Sequence, residues 1–130
     1  MTEELTAEEL AFLQSAFELA RSGDTEQLEE YVDAGLPVNL TNSAGDTLLI
    51  LAAYHRHAEL VDALLMRGAD HARVNDRGQT ALACATFRQD VAIVQRLLAA
   101  GADPELGPRS AVEIARFFDL PDLLTVLRGS

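Results

Sequence analysis

The stretch LLMRGAD, from Leu64 to Asp70, returns 33 residues later as LLAAGAD, from Leu97 to Asp103. A recurrence at that spacing calls for a test of internal repetition before any other fold is considered. Laying residues 42–74 over 75–107 pairs Gly45 with Gly78, Thr47 with Thr80, Leu49 with Leu82, Ala52 with Ala85 and Val61 with Val94, without a gap. Altered copies flank the pair. Upstream, Gly23, Leu28, Val32, Gly35 and Asn39 keep step. Downstream, Ser110 to Leu127 follows the same plan after a loss of three residues. The chain therefore divides into a first capping unit (1–41), two full units (42–74 and 75–107) and a last capping unit (108–130), all in one domain.

Each unit reads as two helices and a turn. Leu48, Leu49, Leu51, Ala52 and Ala53 form a short apolar helix whose small residues permit close approach of a neighbour. After a break near Arg56 and His57, Leu60, Val61, Leu64 and Leu65 recur at helical spacing. Gly68 stops that helix, because glycine takes the left-handed conformation at little steric cost. The segment 69–78 is polar and turn-like. Thr6 with Glu9, Asp24 with Gln27 and Ser110 with Glu113 fit capping boxes, Asp90 fits an N-cap, and Pro121 fits a first turn. One such unit cannot bury its own apolar face. Stacked units can, provided the end units turn a polar side outward, which suits the acidic first unit.

These residues resemble the ankyrin repeat, whose pattern runs D-x-x-G-x-T-P-L-H-x-A-A, then G-H, then I-V-x-x-L-L-x-x-G-A-D-x-N. The likeness is close over 42–107 and weaker over about 13–128. It implies an all-α solenoid of stacked helix-turn-helix units joined by short hairpin-like loops. There are departures. The Pro after Thr is Leu48, Ala81 and Ala111; the His is Ile50, Ala83 and Glu113; the Gly between helices is Arg56 and Gln89. The loop network made by that His must be weakened or replaced, while Thr47, Thr80 and Ser110 can still cap their helices. The resemblance also implies a role: such arrays bind other proteins through their hairpin tips and the exposed face of the first helices, and rarely carry chemistry.

Charge narrows the partners. The formal net charge is −11, and residues 1–33 hold ten carboxylates against one base, Arg21. Such a surface repels nucleic acid and anionic lipid. It either keeps the chain soluble or attracts a basic protein, which leaves an acidic inhibitor or chaperone-like role as the alternative to a groove-binding adaptor. The single Cys84 excludes an internal disulfide, no stretch approaches the length of a membrane span, and MTEELTAEEL lacks the features of a signal peptide. A cytoplasmic location is expected.

No enzymatic motif stands out. His55 and His57 are two apart and make a poor metal pair on a helix. Together with His71 they read as exposed polar residues. Cys84 takes the place of a buried Leu and reads as a core residue. No phosphate loop, nucleophile elbow or zinc-helix motif occurs, so neither cofactor nor metal is expected.

The repeat register picks out a surface instead. Tyr54, Phe87 and Phe117 fall in one row, and His55, Arg88 and Phe118 in the next. Four of the chain's seven aromatics lie there, and by the resemblance these rows face the groove. Large aromatics and Arg dominate binding energy at interfaces. Hairpin residues Ser43, Ala44 and Asp46, then Asp76, Arg77 and Gln79, would add polar specificity. Phe117 and Phe118 could alternatively just cover the last helix pair. The expected partner is another protein, with the chain a monomer whose groove could also pair weakly with a second copy.

Overall fold

A computed structural model describes residues 5–129; Glu3 and Glu4 of the acidic segment, and the first residues of MTEELTAEEL, lie outside them. Eight helices follow one another among the described residues: α1 (Ala7–Ser22), α2 (Thr25–Asp33), α3 (Leu48–Tyr54), α4 (Ala58–Met66), α5 (Ala81–Phe87), α6 (Val91–Ala99), α7 (Ala111–Phe117) and α8 (Pro121–Leu127). The odd-numbered helices stack as an inner layer and the even-numbered ones as an outer layer, each helix also packing against its partner in the same unit. This is an all-α repeat solenoid.

The two layers follow from the side chains available. Ala52, Ala53, Ala81, Ala83 and Ala85 are fully buried on α3 and α5, so the inner helices approach closely. Leu28, Leu60, Leu64, Ile93 and Leu97 reach inward from the outer helices to fill the space between layers. Each such side chain contributes about 1.5–3 kcal/mol on burial.

The caps form largely as read. Thr6 and Glu9 make a full capping box. Thr47, Thr80, Asp90 and Ser110 each accept a hydrogen bond from the backbone N–H three residues on, and Pro121 opens the last helix. Two expected boxes are only half made. Asp24 accepts from the Gln27 N–H. Ser110 accepts from the Glu113 N–H, but the Glu113 side chain turns to Arg116 instead of returning to the cap. The first unit is also less polar on its outer side than a cap was expected to be. Leu5, Leu10 and Phe12 are exposed beside Glu8 and Glu9, with the Phe12 ring 4.6 Å from Tyr31.

The hairpins show what replaces the missing loop histidines. Within each full repeat an asparagine closes the tip. Asn42 Oδ1 accepts from the N–H of Ala44 and Asp46, and Asn75 Oδ1 from the N–H of Arg77 and Gln79. Neighbouring tips are then joined by backbone: the Asp76 N–H donates to the Ala44 carbonyl and the Arg109 N–H to the Gly78 carbonyl, both at 3.0 Å. These bonds fix the spacing of the inner helices that follow each tip. On the outer side, Arg67 forks onto Asp33 at 2.9 and 3.2 Å and reaches Glu29 at 2.9 Å, and Arg96 bonds Asp62 at 2.9 Å. The hydrogen bond from Arg67 holds the Asp33 carboxyl below its usual range.

Candidate binding groove

The inner helices α3, α5 and α7 each end on an aromatic residue, Tyr54, Phe87 and Phe117, and their C-caps are His55, Arg88 and Phe118. The next residue of each unit, Arg56, Gln89 or Asp119, has a positive φ of 65°, 56° or 52°. That left-handed step ends the inner helix and turns the chain toward the outer layer, so each aromatic stands at the same corner of its unit.

The corners touch. The Tyr54 and Phe87 rings stack with centroids 6.3 Å apart and planes 10° from parallel. Tyr54, Phe87 and Phe117 keep equivalent positions at the ends of their helices, but the Tyr54–Phe87 stacking is not repeated between Phe87 and Phe117. Phe87 meets the edge of Phe118 at 5.7 Å, and Phe118 in turn meets Phe117 at 4.9 Å. The ladder changes rows at the last unit, and the result is an unbroken aromatic run across three units. Offset and edge-to-face arrangements of this kind are the favourable ones for aromatic quadrupoles. Arg88 braces the run by donating to the Tyr54 carbonyl at 2.8 Å while its guanidinium lies 5.2 Å over the Tyr54 ring. His55 extends the run at the other end, 5.1 Å from Tyr54 and 6.4 Å from His57.

Exposure rises along the run. Tyr54 is half-buried, Phe87 is exposed, and Phe117 is 82% exposed at the C-terminal end. There a cleft of about 390 Å³ opens between the third and fourth units. Its walls are Gln79, Phe87, Ile114, Phe117 and Phe118, with Pro108, Arg109 and Glu113 at the hairpin side.

Comparison with known proteins agrees with this architecture. The ankyrin repeat family, in three copies, matches residues 16–107. The chain belongs to the ankyrin repeat family. It is also similar to a Pseudomonas aeruginosa protein named as an ankyrin repeat protein, with 49% identity over 58 residues. That match spans 45% of this chain and 34% of the Pseudomonas protein. Ankyrin repeats are in general protein–protein interaction modules, and the family is typically non-enzymatic.

The hairpin residues of this ankyrin array divide by burial. Ser43 and Asp76 are exposed at the tips, as is Arg77, while Gln79 is half-buried on the cleft wall. Asp46 departs from expectation. It is only 5% exposed, and its Oδ1 accepts from Asn75 Nδ2 at 2.8 Å and from Arg77 at 3.4 Å. A carboxylate so engaged holds two repeats together and does not present itself to a partner. It is buried because the next hairpin lies across it.

The histidines also differ from the exposed polar residues expected. All three are half-buried. His57 Nε2 lies 2.6 Å from the Arg21 carbonyl, tying the first cap to the second unit. His71 Nδ1 is buried without a partner. Burial, with the nearby positive groups of His57, Arg21 and Arg88, lowers the His55 pKa. Cys84 is fully buried, and burial pushes its thiol up to about 12, so it is poorly suited to act as a nucleophile. No group of three or more His, Cys, Asp or Glu among the described residues could hold a metal ion. No helix among them is long and apolar enough to cross a membrane.

Sequence reasoning named neither Arg109 nor Ile114 as groove residues. Both were available from the register. Arg109 precedes the cap Ser110 as Gln79 precedes Thr80, and Ile114 aligns with Leu51 and Cys84. Ile114 shares its row with Cys84, which reads as core, and Arg109 closes a hairpin shortened by three residues, so neither stands out as a groove residue.

Proposed function

We propose that this chain is a non-enzymatic adaptor that binds a partner protein along the aromatic run of its inner face. The observation that carries this reading is the continuity of Tyr54, Phe87, Phe118 and Phe117 across three units, with the last of them almost wholly exposed. Exposed aromatics bordering a cleft are the residues that anchor protein interfaces. Ser43, Asp76 and Arg77 at the tips supply a polar rim. The array works as a monomer in the cytoplasm and takes neither nucleic acid nor membrane. Its acidic surface and its single buried thiol suit that setting.

The test is affinity capture from the native cell with the wild type beside a Phe87→Ala/Phe117→Ala variant shown by circular dichroism to be folded. The expected result is a partner retained by the wild type and lost by the variant. Equal recovery overturns the groove reading. Capture that survives in the variant but disappears in high salt would point to the acidic first unit instead, since exposed charge is screened over about 8 Å at physiological ionic strength.

A further inference from the structure

We infer that the cleft between the third and fourth units takes an aromatic side chain flanked by a carboxylate, presented by an internal segment of the partner, and that Arg109 pairs with that carboxylate. The inference rests on the groove reading above and names the chemistry of what fills it.

The apolar half of the argument is the wall. Phe87, Phe117, Phe118 and Ile114 surround about 390 Å³, within the size of ordinary ligand pockets. Phe87 and Phe117 both contact Phe118 through tilted rings, so the cleft offers ring edges and faces together. An incoming aromatic ring can add to that pattern at the 4.5–7 Å spacings such pairs prefer, which a branched aliphatic side chain does not do.

The charged half is Arg109. Seven of the ten arginines bond a carboxylate within the protein, and Arg88 is held by the Tyr54 carbonyl. Arg109 is exposed at the mouth of the cleft and has no such carboxylate partner among the described residues. The other ionised wall residue, Glu113, carries Arg116 against it at 3.4 Å. The uncompensated charge at the mouth is therefore positive, in a protein whose net charge is −11.

The distribution of that negative charge removes the apparent conflict. Residues 1–33 hold ten carboxylates and one arginine; residues 34–130 hold eleven carboxylates and nine arginines. The acidic excess sits at the first unit, and the cleft lies beside α7, three inner-helix steps away. At 8–10 Å per helix step the separation is several Debye lengths. A carboxylate at the cleft meets the local guanidinium, and the distant acidic cap is screened from it.

Arg109→Glu and Phe117→Ala both change exposed side chains, and the Arg109 backbone bond to Gly78 does not involve the side chain. Folding of each variant is checked by circular dichroism. The probe is a capped Gly/Ser peptide with one phenylalanine between two glutamates, titrated into isotopically labelled protein and followed by NMR. It should shift resonances around Phe117 and Ile114, and it should fail to do so in Phe117→Ala. Replacing its glutamates by lysines should weaken binding about three- to fivefold. The preference should reverse on Arg109→Glu and vanish in about 1 M salt. Equal affinity for the glutamate and lysine peptides, both lost with Phe117→Ala, would overturn the carboxylate inference and leave the groove reading standing. Tighter binding of an uncapped peptide ending in phenylalanine would overturn the internal source in favour of a chain terminus. Failure of every peptide to bind, while the groove-dependent partner is still captured from cells, would overturn the inference alone.

Discussion

Asn75 donates its side-chain amide to Asp46 at 2.8 Å, so the hairpin of the third unit is bonded to that of the second by two buried polar residues. The Oδ1 of the same Asn75 accepts from two backbone N–H groups of its own tip, each at 3.0 Å. One side chain thus closes a turn and joins two repeats. Asn75→Ala should cost about 2–4 kcal/mol, because it leaves the buried Asp46 carboxylate with only the longer 3.4 Å bond from Arg77 as well as removing three bonds. Asn42→Ala loses only the two bonds within its own tip and should cost about 1–2 kcal/mol. Urea denaturation of the two variants measures the difference. Equal losses would remove the inter-repeat role of Asn75.

The corner residues carry backbone strain that can be relieved. Gln89 follows the C-cap of α5 with φ of 56° and an exposed side chain, in the position where helices favour glycine. Left-handed φ costs an L-residue about 1–2 kcal/mol, and glycine gives back about 0.5–1 kcal/mol through its freer unfolded state. Gln89→Gly should therefore stabilise the array by about 0.5–1 kcal/mol. Arg56→Gly relieves the same strain but gives up the 3.2 Å contact of Arg56 with Asp90, so it should gain less. A lower urea midpoint for Gln89→Gly would show that the corner is not strained.

Cys84 should be silent to thiol reagents in the folded state. It is fully buried, its Sγ lies 3.6 Å from Gln79 Oε1, and its pKa is pushed up to about 12 from 9.0, chiefly by burial. Labelling at mildly alkaline pH should proceed only as fast as the third unit opens, and should accelerate with urea. The raised value also predicts a stability loss in alkali. Below 9.0 both states hold the proton, and the loss grows as pH rises from there towards 12. Rapid labelling without denaturant would place the thiol at the surface.

These features differ in how far the sequence alone could reach them. The 33-residue register, the Leu pairs and the G-A-D endings gave helices, turns and stacking direction, because those positions are set by periodicity and by caps acting over three or four residues. Phe87 and Tyr54 were brought together for the same reason. The roles of Asp46 and Arg109 were not visible, because each depends on what the adjacent unit places against it. Asp46 and Gln79 occupy equivalent positions, yet Asn75 and Arg77 cover the first while the second lines an open cleft. Phe118 likewise joined the ladder through its side chain and not its backbone: its corner matches the others, but an aromatic stands where the second and third units carry His55 and Arg88. Register gives rows; burial along a row depends on unlike neighbours.

Acid should loosen the groove through His55. Its ring lies 5.1 Å from Tyr54, and its pKa is lowered from 6.5, first by burial and then by His57, Arg21 and Arg88, with Asp46 acting in the opposite sense. A base whose folded pKa is lowered takes up its proton more readily when unfolded. The stabilisation is therefore full above 6.5 and is lost as pH falls from there towards the folded value. His55→Gln removes the titration while keeping a polar side chain of similar reach. Thermal melts from about pH 7.5 to about pH 5.5 span the range in which an ordinary histidine titrates. Over that range the wild type should lose more Tm than His55→Gln. Because protonation would act at the Tyr54 end of the aromatic run, partner capture should weaken in the wild type over the same range and less in the variant. Parallel melting curves for the two proteins would assign the acid response to other groups.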